Sequence, residues 1–426
     1  MKFLFVVKPL SYEWLGIQYV SAALKGAGVE TALFTAGDDP DIIAGFKPDF
    51  IGYSVLTGDH RYFLDYNSSL KKKLNFTSVF GGPHPTFFPK MADEPGVDYI
   101  VRGEAEKSVL KVLGRPKEKV IFEPLPENLD ALPFPDRELL YAGNPSFSDN
   151  PIKHFIASRG CPFDCPYCYN HINAALYPNQ RRLRFRSPDN VISEVETVIR
   201  RYPTKFVYFQ DDCFDLDHKW LKEFLPAYKQ KIGLPFHAIV RLDLLNEEIV
   251  KLLKESGCAC VRCALESGND HMRNTVLKRA MSKQQVFDGI ELLHKYSIHI
   301  VLQNILGLPG STLETDLETL RVNIQCRPTL GWSSIFQPYP GTELGNLFPE
   351  TSIDNISASF YDESPINIPH KKEVKRLQKL FGTVVARPAL YKLLPLLLKL
   401  PLEYLYGKLW RHNNERADKK LYGGII

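Results

Sequence analysis

Short apolar runs alternate with amphipathic stretches through the first third of the chain. Phe3–Val7, Val29–Phe34, Phe50–Ser54, Thr77–Phe80 and Tyr99–Val101 are compact apolar runs bounded by Gly, Pro or Asp, the pattern of buried strands. Trp14 to Ala27 instead repeats apolar residues at helical spacing and stops at Gly28. Strands alternating with helices predict a doubly wound α/β domain with a parallel sheet, which binds ligands at the carboxyl ends of its strands. Pro116 to Pro151 breaks the rhythm with Pro124, Pro126, Pro133, Pro135 and Pro145, and reads as a semi-rigid linker.

A second alternating series follows. Its expected strands are His154–Ser158, Phe206–Gln210, Phe236–Arg241, Ala259–Leu265, His299–Ile305 and Ser333–Gln337. The helices between them are Pro188–Arg201, His218–Lys231, Asn246–Ser256, Ser282–Tyr296 and Leu313–Gln325. Repeated strand–helix units predict a partial (β/α)6 barrel, with chemistry at the strand carboxyl ends. The expected division is a ligand-binding domain over 1–115, the linker over 116–151, the barrel over 152–345 and a small helical region over 346–426.

Composition narrows the function. A chain of 426 residues exceeds what one core usually supports. A formal net charge of +4 argues against a strongly basic nucleic-acid binder. Eight cysteines are too few for a disulfide scaffold, and three sit in one short cluster, which points to a reducing, cytoplasmic setting and a metal site. The apolar start Met1–Val7 runs into Lys8-Pro9, too short for a signal segment. Pro388 to Tyr406 is apolar but interrupted by Lys392, Pro395, Lys399, Pro401 and Glu403, so no transmembrane segment is expected and the stretch reads as a packed helical tail, with surface contact to lipid as a second reading. A monomer is expected.

The cluster is Cys161-Pro-Phe-Asp-Cys165-Pro-Tyr167-Cys168, on the loop after the first barrel strand. Three thiolates spaced Cys-x3-Cys-x2-Cys suit three irons of a [4Fe–4S] cluster, leaving the fourth iron open. Zinc completed by His171 is a second reading of the same spacing. Cys258, Cys260 and Cys263 fall inside an expected strand and read as core.

The cysteine spacing, with an aromatic before the third cysteine on the first loop of a barrel, resembles the radical SAM superfamily. The resemblance implies a [4Fe–4S] cluster on Cys161, Cys165 and Cys168, with S-adenosylmethionine chelating the open iron. It further implies cofactor contacts at the strand ends from Tyr167, Gln210, Asp211, Asp212, Arg241, Glu266, Ser267 and Leu308. In the first domain, Ser54, Thr57, Gly58, Gly81 and Gly82 are small residues at neighbouring strand ends, where a large flat ligand can approach the backbone. No Gly-x-Gly-x-x-Gly follows Val7, which argues against a dinucleotide site. The spacing Gly81-Gly82-x-His84-x-Thr followed by Asp98 through Gly103-Glu104 resembles the cobalamin-binding domain of B12-dependent radical SAM enzymes.

That resemblance adds cobalamin, contacted by His84 and Glu104. Asp-x-His-x-x-Gly, the source of a lower-face cobalt His elsewhere, is absent, so Tyr12, Trp14 and Leu15 are the expected lower-face residues. The implied activity is methylation of an unactivated sp3 carbon, fed by an external electron donor. The expected substrate is a protein or peptide side chain, because a chain this short resembles the glutamine methylase of methyl-coenzyme M reductase. Alternatives are methylation of a small natural product or lipid, and a rearrangement or cyclisation without methyl transfer.

Overall fold

The computed structural model describes residues 1–10, 12–37, 40–349 and 364–425. Among them the chain divides into two compact units, the first comprising Met1–Asn150 with Asn173–Arg186.

The first unit is built on six strands: β1 (Lys2–Val7), β2 (Glu30–Thr35), β3 (Phe50–Ser54), β4 (Thr77–Gly81), β5 (Tyr99–Arg102) and β6 (Val120–Phe122). They run parallel in the order β2-β1-β3-β4-β5-β6. Leu4, Val6, Ile51, Tyr53 and Phe80 bury one face, and Phe3, Phe5, Val7, Phe50 and Val79 bury the other. Burial on both faces explains the nearly continuous apolar runs. Strand β6 lies inside the expected linker. That Pro-rich stretch also buries Ile121 and Leu139 in the same core as Phe3, and the Asp136 N–H donates to the Gln18 carbonyl at 3.0 Å. It is therefore part of the unit rather than a free connector. A three-residue edge strand flanked by prolines leaves no period to read.

The second unit carries β7 (Ile152–Phe155), β8 (Phe206–Phe209), β9 (Phe236–Val240), β10 (Cys258–Glu266), β11 (His299–Leu306) and β12 (Leu330–Ile335). These are parallel in the order β12-β11-β10-β9-β8-β7, an open six-stranded barrel-type sheet. Each intervening helix begins on a polar cap. Ser187, Asp217, Asn246, Ser282 and Thr312 accept the N–H of the residue three positions on, satisfying donors that a helix start leaves open. Cys258, Cys260 and Cys263 are all buried in β10, as the strand reading requires.

Two long helices, with short helical turns between them, follow the barrel among the described residues. Lys371–Ala386 buries Leu377, Leu380, Phe381 and Val384. Glu403–Leu421 sends Ala417 and Leu421 against Ile152, Phe206, Val301 and Leu330, near the amino ends of the strands. The first of these helices instead shares its core with Leu306, Leu308, Ile335 and Phe336, at the carboxyl ends of β11 and β12. No helix among the described residues is long and apolar enough to cross a membrane.

One polar pair ties the sheet to its helical layer. Asn304 Nδ2 donates to Asn323 Oδ1 at 3.1 Å, Asn323 Nδ2 returns a bond to Asn304 Oδ1 at 2.8 Å, and both residues are fully buried. Asn323→Ala leaves the buried Asn304 Oδ1 without its donor, while Asn304 Nδ2 keeps the Leu302 and Trp332 carbonyls, and costs about 1–3 kcal/mol. Calorimetry of the metal-free chain should show the melting temperature falling by about 2–4 °C per kcal/mol. Asn304→Leu combined with Asn323→Leu should lose less than the single variant, since neither amide is then left alone.

Candidate functional site

The cysteine loop leaves the end of β7 and is braced from the end of β8. The Asp211 carboxylate accepts the Ala157 N–H at 3.2 Å, the Ser158 N–H at 2.5 Å and the Ser158 hydroxyl at 2.6 Å. Burial pushes this carboxyl up to about 6 against those donors. Asp212 takes the Asn170 side chain and the Gly160 N–H, and burial raises it too. Asp215 accepts the Arg241 N–H at 3.1 Å and the Cys213 thiol at 3.0 Å.

Cys161, Cys165 and Cys168 share this braced loop, and the Cys168 N–H closes a turn on the Cys165 carbonyl at 3.1 Å. Burial pushes the Cys168 thiol up to about 12, and the neighbouring Asp212, Cys165 and Cys161 add to the rise. No three His, Cys, Asp or Glu side chains among the described residues converge on a single-ion position. His171 Nδ1 lies 3.2 Å from Asp164 instead of completing a zinc set. Three cysteines on one short loop fit a cluster in which each thiolate holds a separate iron.

Around the loop the remaining strand ends are densely bonded. The Tyr167 hydroxyl donates to Glu266 Oε1 at 3.0 Å, and Arg279 Nη1 donates to the Tyr167 oxygen at 3.0 Å. Arg279 Nη2 is fixed on the Ala264 carbonyl at 2.8 Å. Burial pushes the Glu266 carboxyl up, against the pull of Arg279 and Tyr167. Burial likewise opposes the Arg279 charge, and Tyr167 and Glu266 more than restore it. Glu266 also has φ of +64° at a register shift in β10, a strained conformation of the kind that accumulates at functional positions.

Several expected contacts are engaged within the protein. Arg241 forms a bidentate pair with Asp243 at 3.0 and 2.8 Å, and its guanidinium carbon lies 3.7 Å from the Phe163 ring centroid. Gln210 Nε2 sits 2.7 Å from His154 Nδ1. Ser267 is buried beside Thr319, its hydroxyl 3.4 Å from Thr319 Oγ1, and Leu308 is buried in the core. Arg279, Asn170 and Gln337 were not foreseen. Gln337 follows β12 and is 5% exposed, and neither side-chain amide atom has a partner among the described residues. Its segment meets the cysteine loop, where Leu344 N–H donates to the Pro166 carbonyl at 3.0 Å and Tyr339 stacks near Tyr169 at 5.3 Å.

In the first unit the strand ends close over one another. The Val55 N–H donates to the Gly81 carbonyl at 2.8 Å, and the His84 N–H to the Val55 carbonyl at 2.9 Å. Gly82 has φ of +94°, and a Cβ there would stand 3.0 Å from Val55 N, so only glycine permits this approach. Ser54 Oγ lies 3.3 Å from the same point, and Gly58 adopts φ of +98°. This bare backbone edge fits a broad corrinoid better than a ligand needing side-chain grips.

His84 is buried, stacked on His60 at 4.2 Å and Phe88 at 4.9 Å, with Thr57 Oγ1 at 3.4 Å. Glu104 is held by both terminal nitrogens of Arg184. Leu15 is buried at the helix start and Trp14 is half-buried, whereas Tyr12 is 51% exposed. Of the lower-face trio, Tyr12 alone is open to solvent.

The Gly307 turn after β11 rests on a titrating group. Gly307 has φ of +67° and its N–H donates to Asp316 at 3.1 Å. Burial pushes the Asp316 carboxyl up to about 7. A carboxyl raised on folding contributes stability that is full below its unfolded value and lost as pH rises through about 7. Asp316→Asn should therefore gain melting temperature over the parent at pH ~8 and much less at pH ~5. An equal difference at both values would contradict this role.

Residues 1–113 match the B12 binding domain and residues 155–322 the Radical SAM superfamily. An uncharacterized methyltransferase of Pyrococcus horikoshii is 29% identical over 73% of this chain and 71% of its own length. The anaerobic magnesium-protoporphyrin IX monomethyl ester cyclase of Rubrivivax gelatinosus is 26% identical over 77% of this chain and 65% of its own. The structure of TsrM, a radical S-adenosylmethionine methyltransferase from Kitasatospora setae with tryptophan substrate and a SAM analog, shares the fold. Its TM-score is 0.65 at 15% identity, over 82% of this chain and 76% of that one. A B12 binding domain over residues 1–113, ahead of a radical SAM domain over 155–322 whose first loop carries the three cysteines, gives this chain the domain pairing of a cobalamin-dependent radical SAM enzyme.

Proposed function

We propose that this enzyme methylates an sp3 carbon of a small organic substrate. The observation that carries the reading is the pairing of the braced triple-cysteine loop with a glycine-lined strand edge in the B12 binding domain. Bound there, the cluster with S-adenosylmethionine would supply a hydrogen-abstracting radical, and the corrinoid a methyl donor. The chain's own residues position and enclose. Asp211 and Asp212 fix the cysteine loop, while Arg279 holds Tyr167 and faces Glu266 at 3.8 Å. Glu266 and Gln337 are the groups we assign to S-adenosylmethionine or the substrate.

A small substrate has more support than the protein side chain expected from the sequence, because the cyclase and TsrM named above act on a porphyrin ester and on tryptophan. The cyclase also supports a second reading, ring formation without methyl transfer.

Reconstitution with iron, sulfide, cobalamin, S-adenosylmethionine and a reductant, followed by mass spectrometry of cell-extract small molecules and peptides, decides among these. Methyl transfer predicts S-adenosylhomocysteine and 5′-deoxyadenosine in equal amounts, with label from the S-adenosylmethionine methyl in a small product. Label in a peptide restores the protein substrate. 5′-Deoxyadenosine without S-adenosylhomocysteine supports cyclisation. Joint replacement of Cys161, Cys165 and Cys168 by Ala should abolish iron loading and 5′-deoxyadenosine, while Cys258→Ala, in the core, keeps both.

Gln337→Leu, nearly equal in volume, should lower kcat/KM for S-adenosylmethionine cleavage by about tenfold, the worth of one buried hydrogen bond. Iron content should stay at the parent level. Unchanged kinetics would remove Gln337 from the site.

A further inference from the structure

We infer that the C-terminal region docks the enzyme on the surface of an anionic lipid bilayer, through the stretch from Arg387 to Arg411. The inference goes beyond the proposed methyl transfer and does not rest on it. Fourteen large apolar side chains are more than a third exposed among the described residues, and six of them fall within 393–405. They are Leu393, Leu396, Leu400, Leu402, Tyr404 and Leu405, with exposures from 36% to 74%. Scattered single exposures are ordinary, but a contiguous apolar surface of this kind marks a contact.

The segment is held firmly from behind. Leu394, Leu398 and Tyr406 are buried in the core with Leu377, Leu380 and Phe381. The Tyr406 hydroxyl donates to the Leu397 carbonyl at 2.7 Å. The exposed leucines are therefore the outward side of a folded element, not a frayed tail. An apolar pocket of about 310 Å³ opens beside them, lined by Leu313, Leu317, Tyr391, Leu394, Leu398 and Lys399.

Charge selects the occupant. Between Arg387 and Arg411 the chain has five cations, Arg387, Lys392, Lys399, Lys408 and Arg411, all exposed, and one acid, Glu403. That acid is spent on Arg376, at 2.9 and 2.8 Å. Lysines set among exposed leucines can lay their stems along apolar surface and raise their ammonium groups to a phosphate layer. Tyr404, with Lys408 above its ring at 4.6 Å, has the amphipathic character of a residue at the headgroup level. A soluble apolar partner would match the leucines but leave the cations unmatched. A bilayer with anionic headgroups matches both. The interruptions at Lys392, Pro395, Lys399, Pro401 and Glu403 prevent a crossing, so the segment lies on the membrane.

The test is flotation of the full chain with vesicles of phosphatidylcholine alone, or of phosphatidylcholine mixed with phosphatidylglycerol. Binding is expected to the mixed vesicles and to weaken at high salt. Leu396→Asp with Leu405→Asp should reduce it by about tenfold or more, as should Lys392→Glu with Lys399→Glu. Circular dichroism and melting temperature should stay at parent values, because these side chains face solvent. Failure of the parent to float with anionic vesicles overturns the inference, as does flotation of both variants at the parent level. A parent dimer in gel filtration that becomes a monomer in the leucine variant also overturns it, in favour of contact between copies.

Discussion

The site depends on how buried carboxylates hold the strand ends of the barrel. Asp211, Asp212 and Asp215 follow β8 within a single turn. Asp211 takes two backbone N–H groups ahead of the cysteine loop, Asp212 takes Gly160 and Asn170, and Asp215 takes the Arg241 N–H after β9. Loop amides at the end of a parallel sheet have no neighbouring strand to pair with, and a buried unpaired amide is costly. An acid at each of these points satisfies the amides and aligns three loops at once. The cost appears in the acids themselves, since burial pushes both Asp211 and Asp215 up to about 6. Their environment is set for holding backbone more than for carrying charge.

This bracing separates what the sequence discloses from what it conceals. The two parallel sheets are legible because their strands are buried on both faces, which forces long apolar runs, and because the helices begin on polar caps. The triple-cysteine loop is legible because its ligands are local. The roles of Asp211 and Arg241 are less so. Both are correctly placed at strand ends, but their side chains turn to Ser158 and Asp243. A strand end fixes where a residue sits, while its rotamer follows the nearest unsatisfied group. Arg279 meets Tyr167, 112 positions away, and no local spacing encodes that meeting. Gln337 sits one residue past a recognisable strand-end aromatic, so its position was in view. Only its lack of partners marks it, and that is a property of the packed state.

The first unit shows the same limit in reverse. Glycines at strand ends predict close approach of a ligand to the backbone; at Gly82 the close approach is the protein's own, since a Cβ there would stand 3.0 Å from Val55 N and its φ is positive. His84 is harder to read. A histidine beside such glycines invites a ligand role, yet it packs between His60 and Phe88. Stacked rings with an adjoining Thr57 hydroxyl shape the wall beneath the strand edge, which leaves the edge itself as bare backbone. Broad contact with a large planar ligand requires that economy, because projecting side chains would hold the ring system off the sheet.

The two ends of the barrel carry opposite demands. Its carboxyl ends keep polar groups poised and partly unsatisfied, with strain at Glu266 and an orphan amide at Gln337. Such features lower stability locally and have to be offset elsewhere. The amino ends supply the offset. Ala417 and Leu421 of the last helix complete the core there, while the Leu377–Val384 stripe closes over β12 and joins Leu306, Leu308 and Phe336 at the carboxyl ends. The exposed leucines at 393–405 point away from both cores, so replacing them removes no buried contact. The tail thus packs behind the site through Leu394 and Leu398, which share a core with Leu308 and Tyr167, and only its outward side chains are independent of the chemistry.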